Sequence, residues 1–477
     1  MKCPVSKLCG GCSLLNIAYE KQGMRKQEEI QDLVRQSGLA IKVMPVHMAQ
    51  NAIGYRNKVI YGFAKDKDKK IYSGLYAPKS HKVINTKNCP MQPDLVNQIL
   101  EEITHLVNSM KIELYQPRTG SGILRHVLIR YAKETDQVMV VFVTATRDFP
   151  SRRNLVNALR QKFPQIRTIL QNINPRDTSI VLQDETIVLY GNGMITDKLC
   201  GLNISFTASA FYQINHDQCE VLYNLAGKML DLSKKDEVLD TYCGVGTIGL
   251  TLAEKCRTVT GVEINKDAVE NARYNAKQNS ISNIRFLAMD STRFMQEAAR
   301  NHKTYDAIIL DPPRAGTTKE FVESACRLHP QKILYISCNP VTQLRDLKWF
   351  KQNGYMCSKM ELVDMFPNTE HIETVAVLSR KSASKSFIPV SISPKDMGLS
   401  EEKEQPTYAN IRDYVQKTHG MKVSSLYVAQ MKAECGLETQ ADRSGDKKQP
   451  KCPPEKREAI LDAFRHFGLI GEDGTEE

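Results

Sequence analysis

From about Ser233 onward, short apolar segments alternate with longer stretches of helical character. The apolar segments are Glu237–Leu239, Thr258–Val262, Ile284–Ala288, Ala307–Leu310 and Lys332–Ile336. Strands separated by helices cannot pair as hairpins. Their alternation argues a doubly wound α/β fold around a parallel sheet. In open sheets of this kind, ligands bind outside the carboxyl ends of the strands. Residues that directly follow those segments are therefore the first candidates for chemistry.

The first segment runs into Asp240-Thr-Tyr242-Cys243-Gly244-Val-Gly246-Thr-Ile-Gly249. Glycines there let the backbone turn tightly and approach a ligand. The spacing is not that of the dinucleotide fingerprint, and a glycine-rich loop alone is weak evidence. Glu263 ends the second segment, where a carboxylate can accept both ribose hydroxyls of a nucleoside cofactor. Asp290 follows the third, placed to reach an adenine edge or, equally, to cap a helix. The fourth ends in Asp311-Pro312-Pro313-Arg314-Ala-Gly316, whose prolines stiffen a loop that presents Asp311 to a ligand. The fifth closes on Ser337-Cys338-Asn339-Pro340. Alone, Cys338 reads equally as a small buried hydrophobe or as a nucleophile facing the same crevice. Glu373, in Glu370-His-Ile-Glu373-Thr-Val, immediately precedes a strand and is placed to act as a base, although alone it reads more readily as a surface carboxylate.

A second cluster opens the chain: Cys3-x5-Cys9-x2-Cys12, with Cys89 far downstream in Asn88-Cys89-Pro90. Four thiolates suit zinc or an iron–sulfur cluster. The spacing is not the usual paired zinc pattern, and Gly10-Gly11 lets the backbone wrap a bulky group. The N-terminus lacks an apolar export core, so the thirteen cysteines are expected as reduced thiols, metal ligands or catalytic groups in a cytoplasmic protein. No apolar run is long enough for a membrane span.

Charge divides the chain unevenly. Residues 1–200 hold 29 Lys+Arg and 17 Asp+Glu, a net of +12, which leaves −1 for the remainder of the +11 total. A basic first half suits a polyanion such as RNA, with Arg118, Arg125, Arg130, Arg152 and Arg153 as candidate contacts, or is a solvated basic surface. Within it a helix is expected from about Ile17 to Gln36, and strands at Lys58–Ala64, Val127–Tyr131 and Gln137–Val143. The expected organisation is a first domain over 1–205, an α/β domain over 206–382, a Ser/Lys/Pro-rich linker over 383–406 and a helical extension over 407–477. In the extension Ile411, Tyr414 and Val415 share one helical face, and Ile460, Leu461, Phe464 and Phe467 another, with Pro453-Pro454 where a helix starts.

In order along the chain, Cys3–Cys89, Phe211-Tyr-Gln213-Ile-Asn215, the Asp240–Gly249 loop, Asp311-Pro-Pro-Arg, Ser-Cys338-Asn-Pro and His371-Ile-Glu373 resemble the uracil-5 RNA methyltransferase family. The likeness runs from Cys3 to about Leu378. It implies a Rossmann-like class I methyltransferase domain that uses S-adenosyl-L-methionine, held by Gln213, Tyr242, Glu263 and Asp311. It implies Cys338 as nucleophile, Glu373 as general base and Phe211 stacked on a flipped target base. The cysteines resemble the [4Fe-4S] ligands of the family's ribosomal branch. A monomer acting on 23S ribosomal RNA is therefore expected, rather than one acting on transfer RNA. Many ribosomal members begin with a small β-barrel RNA-binding module, the TRAM domain; this sequence starts at the cysteine motif, so the basic first 200 residues are expected to bind RNA instead. Residues 401–477 lie outside the family core.

Three rivals fit less well. Cytosine-5 enzymes carry a cysteine where this chain has Arg314. Exocyclic-amine enzymes prefer Asn-Pro-Pro and an aromatic residue. A noncatalytic RNA-binding assembly factor would not need the intact loop, Cys338 and Glu373 together.

Overall fold

The computed structural model describes residues 3–176, 178, 180–380, 406–437 and 450–470. Residues 1–384 form one compact unit and 385–477 a second. The expected linker falls, except for its last residue, outside the described residues.

All five expected strands form, in one eight-stranded sheet. Its spatial order is Lys42–His47, Tyr355–Val363, Glu373–Arg380, Lys332–Ser337, Ala307–Leu310, Glu237–Thr241, Thr258–Glu263 and Ile284–Ala288. The five run parallel, and their chain order reverses between Ala307–Leu310 and Glu237–Thr241. A crevice opens at such a reversal, outside the carboxyl ends. Glu373–Arg380 runs antiparallel to both of its neighbours.

Alternate residues of each strand supply two cores. Val238, Val259, Ile309, Leu334 and Ile336 point to one face and pack on the helix His216–Leu230 through Leu222 and Ala226. Leu239, Val262, Ile308, Leu310 and Ile333 point to the other, against Phe321 of Lys319–Arg327 and Phe350 of Pro340–Gln352. Strands covered on both faces read as unbroken apolar runs, which is why they were legible.

Residues 19–47 do not stay within the first domain. Helix Tyr19–Ser37 inserts Ile30 and Val34 into the Phe350 core, and Lys42–His47 pairs in parallel with Tyr355–Val363 as an edge strand. Residues 58–190 build a seven-stranded sheet, Val83–Asn85, Ile71–Tyr76, Lys58–Lys65, Leu124–Ala132, Gln137–Thr144, Ile166–Ile173 and Thr186–Tyr190, and Ile195–Leu199 pairs with Leu202–Phe206 in a two-stranded one. Helices Asp94–Ser109 and Arg152–Lys162 cover one face through Ile99, Ile103, Leu155 and Leu159. Among the described residues no helix is long and apolar enough to cross a membrane.

The second unit contains helices Tyr408–His419, Ser425–Glu434 and Pro454–His466 around Ile411, Val415, Val428, Met431, Ile460 and Phe464. Pro454 occupies the first turn of its helix, where the missing N–H costs nothing.

One expectation fails here. Arg130 is not an RNA contact, because it is 1% exposed. It lies in Leu124–Ala132, a strand buried on both faces, so its guanidinium turns inward. Its Nη1 donates to the carbonyls of Thr207 (2.8 Å), Ala208 (3.2 Å) and Ala210 (2.6 Å), and the group lies 4.5 Å over the Phe206 ring. One cation thus fixes the segment that leads to Phe211 and Gln213. Replacing it leaves buried carbonyls without donors. Arg130→Met should cost about 2–4 kcal/mol, read as a lower urea midpoint at unchanged slope. A midpoint equal to the wild type would show that those carbonyls find other donors.

Candidate active site

Backbone register aligns the crevice residues. Thr241 pairs with Val262 on one side and Leu310 on the other. The next residue of each strand is Tyr242, Glu263 and Asp311, so all three leave the sheet side by side.

The loop after Thr241 is bent by left-handed residues: Tyr242 at φ +59°, Gly244 at +54° and Gly246 at +82°. A Cβ on Gly246 would come 2.7 Å from the Phe286 ring, so only glycine fits. A Cβ on Gly244 would meet nothing within 4 Å, which leaves open ground beside the loop. Glu263 faces that ground. Its Oε2 accepts from the Gly244 N–H (3.1 Å) and its Oε1 from the Asn265 N–H (2.8 Å). A carboxylate has about four acceptor sites, so capacity for two hydroxyls remains. The Tyr242 ring leans on Phe321, 5.7 Å between centroids. Asp290 takes its capping role: Oδ1 accepts from the Arg293 N–H at 2.9 Å and starts helix Ser291–Arg300.

Gln213 is buried, and its carbonyl accepts from Asn57 Nδ2 at 2.8 Å. Asn57 N–H donates to the Ile214 carbonyl, and Arg56 bridges to Asn215. The strand-rich region therefore sets the backbone of the Gln213 segment. Phe211, two residues earlier, is 65% exposed.

Sequence reasoning passed over Asp240. Its carboxylate is fully buried; Oδ2 accepts from the Gly249 N–H at 2.9 Å, while Oδ1 has no partner. Burial pushes it up to about 8. The signal was available, since a charged residue inside an apolar strand needs a reason.

Cys338 and Glu373 meet through strand pairing. Lys332–Ser337 and Glu373–Arg380 are antiparallel, and their last pair is Ser337 with Thr374. One step further in the same register sets Cys338 opposite Glu373, on one face. Directly opposed Cβ atoms in such ladders stand about 4.5–5.5 Å apart. The Thr374 hydroxyl donates to the Ser337 carbonyl (3.0 Å), and Gln343 Nε2 to the Tyr335 carbonyl (2.9 Å), which braces this end. Asn339 caps helix Pro340–Gln352 and gives its Nδ2 to the Arg314 carbonyl (2.9 Å), tying the Asp-Pro-Pro-Arg loop to the cysteine turn.

Electrostatics couple the group. Burial pushes Asp311 up to about 7. Burial, then the Asp311 charge, hold Glu373 well above the usual carboxylate range, against the pull of Arg314. Burial pushes the Cys338 thiol up to about 11; the Glu373 charge adds to this, and Arg314 opposes it. A carboxylate whose pKa lies nearer neutrality is a stronger base for a thiol or carbon proton.

The four cysteines of the second cluster, Cys3, Cys9, Cys12 and Cys89, line one cavity. Three of them pack on Leu15, Tyr55 and Met91. Arg56 donates to the Gly11 carbonyl at 3.2 Å, and its charge opposes the upward push of burial on Cys12 and Cys89. Among the described residues no three or more His, Cys, Asp or Glu side chains converge on a metal position. Of the candidate RNA contacts, Arg118 and Arg153 are exposed. Arg125 is half-buried and donates to the Asn174 and Arg176 carbonyls.

Similarity to known proteins agrees with this geometry. The family described as tRNA (uracil-5-)-methyltransferase matches residues 18–381. A protein of Clostridium tetani named as an uncharacterised RNA methyltransferase is 36% identical over 378 residues, 79% of this chain and 82% of its own. One of Bacillus cereus with the same name is 33% identical over 382 residues, 80% and 83%. Among solved structures, the Pyrococcus abyssi tRNA (uracil-54, C5)-methyltransferase in complex with S-adenosyl-L-homocysteine matches with a TM-score of 0.63 at 28% identity. That match covers 78% of this chain and 86% of that one. The chain belongs to the tRNA (uracil-5-)-methyltransferase family and is an RNA methyltransferase with a class I fold.

Proposed function

We propose that this protein methylates C5 of a uridine in RNA through a covalent bond between Cys338 and C6. The observation that carries the reading is the strand register that opposes Cys338 to Glu373. C5 of uracil is too weak a nucleophile to take a methyl group unaided. Cys338 gives its thiol proton to solvent, and addition of the resulting thiolate to C6 turns the ring into an enolate and makes C5 nucleophilic. S-adenosyl-L-methionine, when bound, supplies an electrophilic methyl group. The open ground at Gly244 and the row Tyr242–Glu263–Asp311 fit such a nucleoside, with Glu263 accepting its ribose hydroxyls and Gln213 and Asp311 closing the crevice. Asp290, already a helix cap, keeps one carboxylate oxygen to offer the adenine edge. After transfer C5 still carries its proton. The Glu373 carboxylate takes it, the C5–H electron pair re-forms the C5=C6 bond, and the Cys338–C6 bond breaks with the thiolate as leaving group. Phe211 stacks on the target base once it leaves its helix.

The RNA we assign is 23S ribosomal RNA, on the likeness of Cys3, Cys9, Cys12 and Cys89 to the ribosomal branch. The name of the Pyrococcus relative favours transfer RNA as the second reading. Mapping 5-methyluridine in both RNAs from a strain lacking this protein separates the two. We further propose that the four cysteines hold a [4Fe-4S] cluster, which their shared cavity and the nearby Arg56 cation fit. The cluster's role here is structural.

Two outcomes test these assignments. Cys338→Ala should abolish methylation, while Glu373→Gln should lower turnover by about 10²–10⁴-fold and accumulate enzyme covalently joined to methyl-labelled RNA. Methylation by Cys338→Ala would overturn the nucleophile assignment. Protein purified without oxygen should be brown and carry roughly four irons per chain, and Cys89→Ser should lose them. One zinc per chain without iron would overturn the cluster.

A further inference from the structure

We propose that the buried ion pair between Lys26 and Asp364 positions the general base, by fixing the loop from which Glu373 projects. The inference rests on the uracil-5 reading above and adds a residue from the N-terminal helix to it.

Residues 364–372 join strand Tyr355–Val363 to strand Glu373–Arg380, so Glu373 is the first residue after the loop. Connecting loops ordinarily lie on the surface, where water satisfies their backbone. In this one Asp364, Met365, Pro367, Asn368 and Thr369 are buried. Their polar groups therefore need partners from the protein, and distant segments provide them. The Asp364 N–H donates to the His47 carbonyl (3.1 Å), and Gln218 Nε2 donates to the Asp364 carbonyl (3.1 Å). Asn215 Nδ2 reaches the Met365 carbonyl (3.2 Å), and the Tyr55 hydroxyl the Pro367 carbonyl (2.9 Å). Gln22 Oε1 accepts from the Asn368 N–H (3.0 Å), and the Leu14 N–H donates to the Asn368 carbonyl (3.0 Å).

Lys26 stands at the centre. Its Nζ lies 2.6 Å from Asp364 Oδ1 and 3.3 Å from the Phe366 carbonyl. Asp364 Oδ2 accepts from the Tyr19 hydroxyl at 2.8 Å, and that hydroxyl in turn accepts from the Ala49 N–H. Lys26 and Asp364 are 1% and 0% exposed. A buried ion pair adds little net stability over an apolar pair of the same volume. What it does add is direction: one cation, three donors and a fixed loop. Glu373 needs that direction, because proton transfer requires the carboxylate within hydrogen-bond reach of C5. Cys338 follows a different strand, Asp311 follows another and Glu263 ends a third. Disturbing the pair should therefore slow the late step, proton removal, and spare cofactor binding and sulfur addition.

The test is the double variant Lys26→Met/Asp364→Asn, which leaves no uncompensated buried charge, with Tyr19→Phe as a milder variant that removes two hydrogen bonds and no charge. Each is compared with the wild type for S-adenosyl-L-methionine affinity, for turnover, and for the fraction of enzyme joined to methyl-labelled RNA. Affinity should stay within about twofold while turnover falls roughly 10–100-fold and the labelled adduct rises in step, with the same direction and smaller size in Tyr19→Phe. Reduced turnover without accumulated adduct overturns the inference, since a merely structural role weakens every step alike. Unchanged turnover overturns it too. If the double variant loses cofactor affinity, Tyr19→Phe decides alone. Wild-type enzyme on 5-fluorouridine RNA separates the two claims: no adduct there overturns the uracil-5 reading itself, whereas an adduct there without accumulation in the variants overturns only the positioning role.

Discussion

One reversed strand makes this site possible. A parallel sheet brings only carboxyl ends to its crevice, and here those ends deliver Tyr242, Glu263, Asp311 and Cys338. A second group faces Cys338 from the neighbouring strand that runs the other way. Glu373–Arg380 does so, and its amino end lies beside the carboxyl end of Lys332–Ser337. The pairing of Ser337 with Thr374 then brings Cys338 and Glu373, the proposed nucleophile and base, together with no further device. Because one step of slippage would turn Glu373 to the other face, the register is also the point of greatest vulnerability.

The N-terminal residues bear on the same chemistry from a distance. Helix Tyr19–Ser37 buries Ile30 and Val34 in the core beneath the sheet and Gln22 and Lys26 against the loop before Glu373. Arg56 and Asn57 hold the backbone around Gln213 and Asn215, and Arg130 holds the carbonyls just before Phe211. The strand-rich region thus serves as the scaffold for two segments of the crevice. The same short stretch, Tyr55-Arg56-Asn57, also touches the cysteine cavity, through Tyr55 packing and the Arg56 contact with Gly11.

What was legible in the sequence followed local rules. The five parallel strands are apolar on both faces, so their runs stand out, and the residues just beyond them lie side by side at the carboxyl ends of the sheet. Helix Tyr19–Ser37 fell within a few residues of its expected span. The edge strand Lys42–His47 was missed because it is partly exposed and carries Pro45, which only an edge tolerates. Arg130 was misread because charge does not report burial; its neighbours Val127, Leu128 and Ile129, all at 0% exposure, carried the warning. The opposition of Cys338 and Glu373 was not legible, since it depends on a register between segments 35 residues apart. Lys26 was hidden in a highly charged helix. Yet Gln22, Lys26, Ile30 and Val34 recur every four residues, and a buried stripe that includes polar members implies polar partners across the interface.

The proposed bond between the Cys338 sulfur and C6 of the ring is tested directly by peptide mapping. Wild-type enzyme is incubated with S-adenosyl-L-methionine and RNA carrying 5-fluorouridine at the target, where fluorine at C5 leaves no proton for Glu373 to take. The trapped complex is digested and the nucleotide-bearing peptide sequenced by mass spectrometry. One modified peptide is expected, with the methylated fluorouracil on Cys338. A label on any other of the chain's thirteen cysteines, or methylation of ordinary RNA by an enzyme that forms no adduct at all, would contradict it.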